Sequence, residues 1–491
     1  MLGDMDRIVA RIRAAVEQKQ KVVIFGDYDC DGITATAQLL RYFRRRGMEP
    51  AVRLPHRVRD GYGLTMQIVE ELKARGVSLV ITCDTGITAV EETAALMGAG
   101  IDVIITDHHH LAEEIPAAYG ILHPALRSYP GPHPSGAGVV LKLLFALEDG
   151  KHWEDMASDC ALAMFGTVAD LVELKGDNRA IVQLGLRALA QIDSGPLAEL
   201  RARTRMTGEN LRSGDIAFRI APRINAAGRM SEPDIALRAL LEGGASLDAL
   251  EALNAERQEK TGVLLERIVS ETKNADAPFI VRASGDYPHG LLGLLAGRLT
   301  EAFGRPSLVA AIDGDTCTAS LRSPPCYNIV EGLRRSAPLF RRFGGHAQAA
   351  GCTFERINLP AIEAALSQDV RSMLSEEDLL PMIVIDAELR AEDVTARLCD
   401  ELSLLEPFGQ GNPEPKFLLK NVTIEAARAV GSDGLHLQGS IAGVACIGFN
   451  LANVVKRFDG LDIVARVGLN VWNGKTAPQL MIEDVRGAVG S

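Results

Sequence analysis

The sequence predicts an α/β fold built on a parallel sheet, with a long helix linking it to a second, smaller α/β domain and a β-barrel after that. In the first half, short β-branched runs alternate with amphipathic helical patterns. The same alternation resumes over 275–375, and the last hundred or so residues show short strand patterns separated by turn signals. At 491 residues the chain is also too long for one core, since single cores stop growing near about 250–300 residues.

The first three strands are predicted at 21–26 (KVVIFG), 79–83 (LVITC) and 101–106 (IDVIIT). Each run is followed by a turn and a helical pattern, which is typical of βαβ units in a parallel sheet. The pattern is helical again over 141–190, and a single long helix is predicted over roughly 234–274. These patterns divide the chain into a first α/β domain (1–190), a helical connector (191–274), a second α/β domain (275–375) and a barrel (376–491).

Composition narrows the class of protein. Hydrophobic residues make up 47% and charged residues 24%, which is ordinary for globular domains and excludes a mostly disordered chain. The net charge of −12 argues against broad, non-specific coating of nucleic acid, although it allows a local basic groove. No signal peptide and no apolar run of about 18 residues is present, so we expect a cytoplasmic protein. The cysteines are dispersed without CxxC spacing, which predicts reduced thiols.

Acidic and histidine residues follow each of the three predicted strands. They are Asp27, Asp29 and Asp31 after the first, Asp84 after the second, and Asp107, His108, His109 and His110 after the third. Ligands of parallel α/β sheets bind at the carboxyl ends of the strands. The sequence therefore predicts one polar site at this edge of the sheet. His110 has no role that the pattern supports, and we expect it at the surface.

The residue types favour a metal site. Asp27, Asp29 and Asp31 alternate, which in an extended segment would put three carboxylates on one face. Crowded carboxylates repel unless protons or cations intervene, and hard oxygen ligands select Mg²⁺ or Mn²⁺. An imidazole at 108 shifts the preference toward Mn²⁺. A lone D-x-D is more often a solvated turn or helix cap, but the acidic ends of the neighbouring strands favour the metal interpretation.

Together these residues resemble the four signature motifs of the DHH phosphoesterases, in the version found in the RecJ-like branch of that family. The matching segments are DYDCDG (27–32), Asp84-Thr85-Gly86, Asp107-His108-His109 and Asp170. Further segments match in the same order: DGYGL (60–64), GAG (136–138), PRINAAGR (222–229) and PFGQGNPEP (407–415). The resemblance covers almost the whole chain. The chain differs from the family pattern at its start, where the first motif lies unusually close to residue 1. We therefore expect that some of the contacts that guide the substrate in the family are missing.

The resemblance implies a two-cation site and identifies the second domain as the DHH-associated domain. Its implied ligands are Asp29, Asp31, Asp84, His108 and Asp170, with Asp27 where other branches use histidine; they would hold two divalent cations, Mn²⁺ or Mg²⁺. Asp84 is the expected bridge, His109 faces the scissile phosphate, and Asp107 orients His108. Cys30 and Cys83, beside these motifs, are expected to serve in packing.

The resemblance also implies substrate-binding residues: Gly344, Gly345 and His346 of a GGH motif, Ser320 and Arg322, and Arg223, Asn225 and Arg229. Arg223, Asn225 and Arg229 either contact DNA or hold the two α/β domains together, and the sequence does not decide between these two roles. The GGH motif follows Arg341 and Arg342, which we expect in a helical stretch. His289 is displaced by one position from the family pattern, so no role is assigned to it.

The implied function is a single-stranded-DNA-specific 5′→3′ exonuclease of DNA repair and recombination, with a helicase and a single-strand-binding protein as partners. The barrel would be an OB fold that tracks the strand, with Phe408, Phe417, Phe449 and Trp472 as stacking candidates. One alternative is a DHH phosphodiesterase acting on short oligoribonucleotides or cyclic dinucleotides, which normally lacks the barrel. Another is a non-catalytic scaffold at replication forks, which would be expected to lose metal ligands.

Overall fold

The structure, a computed structural model, describes residues 2–57, 59–61, 63–150, 156–206, 208, 211–272, 277–375, 377–380, 382–472 and 475–487. The chain divides into two compact units, residues 1–381 and residues 382–491. Across the described helices, none combines the length and the apolar character needed to cross a membrane. The α/β class with a parallel sheet, a second α/β part and a C-terminal β part is confirmed.

The first sheet is parallel and has the order β2-β1-β3-β4-β5. Its strands are β1 (Val22–Gly26), β2 (Ala51–Arg53), β3 (Leu79–Cys83), β4 (Asp102–Thr106) and β5 (Gly120–Leu122). The three predicted strands are thus confirmed to within one residue. The sequence missed the two edge strands, which are only three residues long. Every residue of β1 and β3 is buried, as a parallel sheet covered on both faces requires.

Helices cover both faces of this sheet. They are α1 (Met5–Glu17), α2 (Cys30–Arg45), α3 (Met66–Ala74), α4 (Val90–Gly98), α5 (Gly136–Leu147), α6 (Ala157–Ala169) and α7 (Gly176–Gln191). Successive strand residues face opposite sides, so Ile24 and Ile81 belong to the core under α2 and α5. Val23 and Val80 belong to a separate core under α3 and α4. The sheet is therefore the rigid layer from which the site residues project.

The connector is made of further helices. They are α8 (Gly195–Arg203), α9 (Ser213–Asp215), a π-helix (Ile216–Ile220), α10 (Ala221–Met230), α11 (Asp234–Glu242) and α12 (Ala245–Thr272). The prediction of a single helix over 234–274 is wrong in one respect, because the helix is interrupted between α11 and α12. Gly243 and Gly244 have φ of +71° and +54° there, a left-handed conformation that ends a helix. The 28-residue α12 is the long linking helix.

The second α/β part has a mixed sheet in the order β6-β7-β8-β10-β9. Its elements are β6 (Ile280–Ser284), α13 (Leu292–Phe303), β7 (Ser307–Asp313), β8 (Thr316–Arg322), α14 (Ile329–Arg335), β9 (Arg342–His346), β10 (Ala349–Glu355) and α15 (Leu359–Met373). The helical stretch expected around Arg341 and Arg342 is wrong. Arg342 starts β9, which pairs with β10 as a hairpin. The two glycines of the GGH motif disfavour a helix, and pairing satisfies their backbone groups.

The second unit carries the C-terminal sheet, in the order β11-β12-β16-β17-β15-β14-β13. Its elements are β11 (Ala387–Glu388), α16 (Ala396–Ser403), β12 (Phe417–Val422), β13 (Glu425–Val430), β14 (His436–Ile441), β15 (Val444–Gly448), β16 (Leu461–Trp472) and β17 (Lys475–Gly487). The last two strands, of 12 and 13 residues, are longer than the short strands predicted. Of the stacking candidates, Phe449 is exposed, Phe408 is half-buried and Phe417 is buried; the side chain of Trp472 lies outside the described residues.

Two glycine substitutions test the break between α11 and α12. We expect Gly243→Ala to lower the free energy of unfolding by about 1–3 kcal/mol, because a Cβ is disfavoured at positive φ and would lie 2.7 Å from the Glu199 carboxylate. Gly262→Ala is the matched control: it lies inside α12, and an added Cβ would meet nothing within 4 Å. It should stabilise the protein by about 0.5–1 kcal/mol. Denaturant titration measures both, and shifts of equal sign would contradict the explanation.

Candidate active site

The first acidic motif is a turn into a helix and not an extended segment. Strand β1 ends at Gly26 and α2 begins at Cys30. Asp29 is the N-cap of α2, and its Oδ1 accepts hydrogen bonds from the backbone N–H groups of Asp31 and Gly32, at 3.0 and 3.1 Å. The predicted single extended face is therefore wrong. The carboxylates converge because they surround a helix N-terminus, whose partial positive charge stabilises them.

Asp31 is held by a second helix N-terminus. Its two carboxylate oxygens accept hydrogen bonds from the backbone N–H groups of Gly136 and Ala137, at 2.6 and 2.9 Å, in the first turn of α5. A Cβ on Gly136 would lie 2.5 Å from Asp84, and one on Gly166 would lie 2.3 Å from Asp31. The GAG segment is therefore part of the site, because only glycine lets the backbone approach these carboxylates.

His108 lies at the centre of the remaining carboxylates. Its Nε2 is 3.1 Å from an oxygen of Asp84, 3.5 Å from one of Asp170 and 3.6 Å from one of Asp31. Within the described part of the chain, neither His108 Nε2 nor Asp84 Oδ1 has a hydrogen-bond partner, and both are buried. Buried polar atoms of native proteins are nearly always satisfied. These two orphaned atoms therefore fit the coordination of a cation.

The donors form three overlapping groups whose ligand atoms lie within 4.8 Å of one another. The groups are Asp84-His108-His109, Asp31-His108-Asp170 and Asp27-Asp29-Asp84. All six predicted metal ligands are thus brought together. Asp84 and His108 each belong to two groups, and Asp84, whose carboxylate has two oxygens, is the one of the two that suits a bridge. A set dominated by carboxylate oxygens with imidazole added fits a pair of Mn²⁺ or Mg²⁺ ions.

Burial and mutual repulsion perturb this cluster. Burial, followed by the charges of neighbouring aspartates, raises the pKa of Asp27, Asp84 and Asp170 well above the ordinary value of an aspartate. Burial also raises the pKa of Asp31 and lowers that of His108. Without cations, the carboxylates reduce their mutual repulsion by taking up protons. Metal binding should therefore release protons.

Asp107 orients His109, and the prediction that it orients the ring of His108 is wrong. Its Oδ1 lies 2.7 Å from Nδ1 of His109 and also accepts the backbone N–H groups of residues 108 and 109. Burial lowers the pKa of His109, but the hydrogen bond to Asp107 and the negative charges of Asp107, Asp170 and Asp27 together outweigh it and raise this pKa to about 9. His109 is therefore a cation at neutral pH. Its ring is partly exposed, so it can donate to an anionic ligand.

A pocket of about 490 Å³ lies in the same unit, between the two α/β parts. Its lining includes Arg57, His289, Ser320, Arg342, Gly344 and Thr353. The guanidinium of Arg57 lies 4.1 Å from the ring centre of Tyr28, within the first motif. The pocket is therefore next to the acidic cluster. The sequence did not identify Arg57, although its position just before DGYGL could have drawn attention to it.

Arg57 lies close enough to Arg229 and Arg322 for their positive charges to repel one another. Burial and the charge of Arg57 lower the pKa of Arg229 and of Arg322. In the described ranges none of the three forms an ion pair with a carboxylate, whereas most arginines of this chain do. Ser320 lies close to Arg322, since a Cβ on Gly293 would contact both side chains. Of these three arginines, Arg57 lines the pocket and the other two lie within reach of its charge. Guanidiniums grouped without carboxylate partners favour binding of a phosphate.

The other residues proposed for substrate contact have different surroundings. Arg223 forms an ion pair with Glu251 at 2.8 Å, and the side-chain oxygen of Asn225 accepts the backbone N–H of Cys30 at 2.9 Å. These contacts favour bracing over DNA contact for both. Gly345 lies within β9, and His346 is exposed with its ring centre 4.8 Å from that of the exposed His110. Sequence reasoning assigned no role to either His110 or His289.

The cysteines beside the motifs are confirmed as buried, free thiols. Cys30 and Cys83 are both buried. Burial raises the pKa of Cys30 well above its ordinary value and that of Cys83 to about 12. Because the thiolate is the reactive form of cysteine, neither is poised as a nucleophile. The chemistry of the site therefore belongs to its carboxylates and imidazoles.

The perturbed pKa values predict how stability depends on pH. In protein stripped of divalent cations, the raised aspartate pKa values and the raised pKa of His109 mean that the folded state binds more protons than the unfolded state. We therefore expect the melting temperature to fall between about pH 7 and about pH 9, a window above the ranges in which His108 and Asp107 titrate. His109→Gln should flatten this fall, and Asp84→Asn should remove the stabilisation by Mg²⁺. Asp286→Asn, an exposed control, should change neither; a slope that His109→Gln leaves intact would contradict the assignment.

Comparison with known families matches three consecutive parts of the chain. The DHH family N-terminal domain matches residues 21–167. The DHHA1 domain matches residues 276–372 and the RecJ OB domain matches residues 385–484. The predicted boundaries at 190 and 274 fall in stretches between these matches. The family resemblance seen in the motifs therefore extends over both units.

Whole-chain relatives agree with this. The chain is 34% identical to the single-stranded-DNA-specific exonuclease RecJ of Bacillus subtilis, over 98% of this chain and 63% of that protein. It is 34% identical to RecJ of Thermus thermophilus, over 99% of this chain and 71% of that protein. It therefore spans slightly less than two thirds of the Bacillus relative.

Solved structures give the same result. RecJ of Thermus thermophilus in complex with Mn²⁺ superposes with a TM-score of 0.87 at 31% identity, covering 99% of this chain and 72% of that one. A second structure, an exonuclease RecJ bound to manganese, has a TM-score of 0.66 at 35% identity, covering 76% of this chain and 95% of that one. With its motifs, its three domain matches and its fold in agreement, the chain belongs to the RecJ family of the DHH phosphoesterases.

Proposed function

We propose that this chain is a single-stranded-DNA-specific exonuclease that works from the 5′ end, hydrolysing phosphodiester bonds with two divalent cations in DNA repair and recombination. The observation that carries the proposal is the combination of an orphaned carboxylate–imidazole cluster with an unpaired arginine pocket beside it. Cations suit the first and a terminal phosphate suits the second. A substrate with a phosphate on each side of one nucleotide would bridge the two.

The ligands we assign to the cations are Asp27, Asp29, Asp31, Asp84, His108 and Asp170. When bound, a pair of divalent cations supplies Lewis-acid chemistry: it makes water acidic enough to attack at neutral pH and neutralises charge on the leaving oxygen. The chain's own contribution is position. The backbone N–H groups that hold Asp29 and Asp31 fix these carboxylates before substrate arrives, so little reorganisation is needed during the reaction.

His109 is assigned to the scissile phosphate. Its protonated ring, held by Asp107, can donate an N–H to a phosphate oxygen and stabilise the added negative charge of the transition state. Arg57 and Ser320, which line the pocket, would hold the 5′-terminal phosphate together with Arg229 and Arg322, which lie near them. Attack by water on the next phosphorus breaks its bond to the 3′ oxygen of the terminal nucleotide. The product is then a 5′-mononucleotide, and the shortened strand keeps a 5′-phosphate.

The alternatives fit less well. A phosphodiesterase for short oligoribonucleotides or cyclic dinucleotides has no need of the second unit, whose residues 385–484 match the RecJ OB domain. A non-catalytic scaffold would not be expected to keep six ligands in coordinating distance.

We also propose a helicase and a single-strand-binding protein as functional partners. The enzyme needs an unpaired 5′ end, which duplex DNA does not offer, so strand separation must precede hydrolysis. A helicase supplies that strand and a single-strand-binding protein keeps it from re-pairing. Digestion of blunt duplex DNA with and without an added helicase tests this proposal, and equal rates would contradict it.

The bridging ligand provides the first activity prediction. We expect Asp84→Ala to abolish Mn²⁺-dependent hydrolysis of end-labelled single-stranded DNA, because two close cations cannot dispense with a shared carboxylate. Asp29→Asn should lose activity similarly but keep its melting temperature, since asparagine is as good an N-cap as aspartate. Asp286→Ala serves as the unaffected control. More than a few per cent of residual activity for Asp84→Ala in saturating Mn²⁺ would count against the assignment.

The second activity prediction concerns polarity. Label at the 5′ end should be released first, as mononucleotide, and substrates with a 5′-phosphate should be preferred over those with a 5′-hydroxyl. Arg322→Gln should weaken that preference, raising KM for the phosphorylated substrate by about 10- to 100-fold, the value of one charge-assisted hydrogen bond. Arg298→Gln, an exposed arginine on α13 paired with Glu301, is the control. Earlier release of a 3′ label would refute the proposed direction.

The third prediction separates the exonuclease from the small-substrate alternative. Residues 1–381 form a compact unit, and the manganese-bound RecJ structure covers only 76% of this chain, so a chain ending at 381 is expected to fold. It should cleave very short oligonucleotides like the full chain. It should bind long single strands at least about tenfold more weakly, since stacking contributes roughly 1–3 kcal/mol per base. Circular dichroism checks folding, and equal activity on long and short substrates would favour the small-substrate enzyme.

A further inference from the structure

Leu171, the residue after Asp170, is in a conformation that leucine rarely adopts. Its φ is +58°, in the left-handed region. It directly follows Asp170, the C-cap of α6, at the position where helices commonly end in glycine. A side chain with a Cβ is strained there, and a bulky one especially so. The backbone alone would favour glycine at this position.

The side chain of Leu171 also has no packing reason to be apolar. It is 69% exposed, so it contributes little to the core. Leu171 therefore departs from two local preferences at once, backbone conformation and burial. Residues that break local rules without a compensating structural gain are concentrated at functional sites. The strain here adjoins a proposed metal ligand, since Asp170 lies 3.5 Å from His108.

We propose that Leu171 contacts the substrate strand, packing against the apolar face of the nucleobase on the 3′ side of the scissile bond. This inference rests on the proposed exonuclease function and adds a substrate contact to that site. Asp170 and its neighbours would hold the cations at the scissile phosphate, so a base attached near that phosphate would come within reach of the next residue. Binding buries the exposed leucine and so gives its apolar side chain a function.

The arginine pocket decides between the two sides of the scissile bond. The pocket assigned to the 5′-terminal phosphate is lined by Arg57, Ser320 and their neighbours, and Leu171 is absent from its lining. The terminal nucleotide therefore occupies the space between that pocket and the cations. Leu171 directly follows the C-cap of α6, Asp170, which is assigned to the cations, so we assign its contact to the nucleotide that follows.

Lys19 offers a matched control for the backbone. It too directly follows the C-cap of a helix, α1, and its φ is +49°. Its N–H donates to the carbonyl of Val16 three residues earlier, as that of Leu171 donates to Val168. Lys19 precedes β1, so it lies at the edge of the sheet opposite the acidic residues. Replacing either residue by glycine relieves the same strain, but only one of them is near the substrate.

The experiment compares Leu171→Gly, Leu171→Met and Lys19→Gly in the full chain with Mn²⁺. The probe is a 5′-phosphorylated oligothymidylate, intact or with an abasic site at the second nucleotide. We expect both glycine variants to melt about 1 °C higher than the wild type, since strain is removed. Leu171→Gly should raise KM for the intact probe about tenfold, while Leu171→Met and Lys19→Gly stay within about twofold of the wild type.

Two further readouts exclude a purely structural role for Leu171. The Mn²⁺ concentration at half-maximal rate should be unchanged in Leu171→Gly, because the Asp170 carboxylate stays in place. On the abasic probe, Leu171→Gly and the wild type should have equal KM, because the base that the leucine contacts is missing.

An unchanged KM on the intact probe would overturn the inference. So would a melting temperature lowered together with activity, a raised Mn²⁺ requirement, or the same KM increase on the abasic probe. Failure of the wild type itself to hydrolyse either probe would instead refute the proposed function. The two failures are therefore distinguishable.

Discussion

The structure depends on one electrostatic constraint: several carboxylates must be buried together at the carboxyl edge of the parallel sheet. Burying a lone charge costs several kcal/mol, and burying like charges side by side costs more. The fold offsets part of this cost with helix N-termini, since α2 is capped by Asp29 and the first N–H groups of α5 hold Asp31. Gly136 and Gly166 are required for the same reason, because any side chain there would displace the carboxylates.

A second, opposite cluster completes the unit. The positive charges of Arg57, which lines the pocket, and of the nearby Arg229 and Arg322 repel one another, as the negative charges of the aspartates do around His108. Each cluster is unfavourable alone, and each is relieved by a ligand of opposite charge. In the proposed function, cations and a phosphate would serve both stability and activity. The electrostatic energy of the two clusters would then contribute to binding and to holding a strand in place.

Two of the ten non-glycine residues with positive φ in the described part of the chain lie at the site. Asp84 and Leu171 both adopt positive φ, at +62° and +58°, and both are at or beside proposed metal ligands. Asp84 is buried, so its strain is held by the surrounding packing, whereas Leu171 is exposed. The rigid sheet makes such positions sustainable. The stability of the regular, fully buried strands offsets the conformational strain of the loops at their ends.

The sequence by itself determined the architecture and which acidic and histidine residues meet at the edge of the parallel sheet. Buried parallel strands are recognisable in a sequence as β-branched runs, and the chemistry of cation binding restricts the ligands to a few residue types. For these reasons β1, β3 and β4 were predicted correctly, and the six residues proposed as metal ligands lie close together as expected. The short edge strands were missed because three residues carry no periodicity.

Only the tertiary structure decided how those residues meet. The turn of residues 27–31 into α2, the pairing of Asp107 with His109 and the position of Arg57 in the pocket all depend on contacts between distant segments. The β9–β10 hairpin is stabilised by pairing partners that no local pattern reveals. Local periodicity records which side of an element is buried, but it does not record which segment covers that side. The site is formed by those long-range contacts, and for that reason its geometry could not be obtained from the sequence alone.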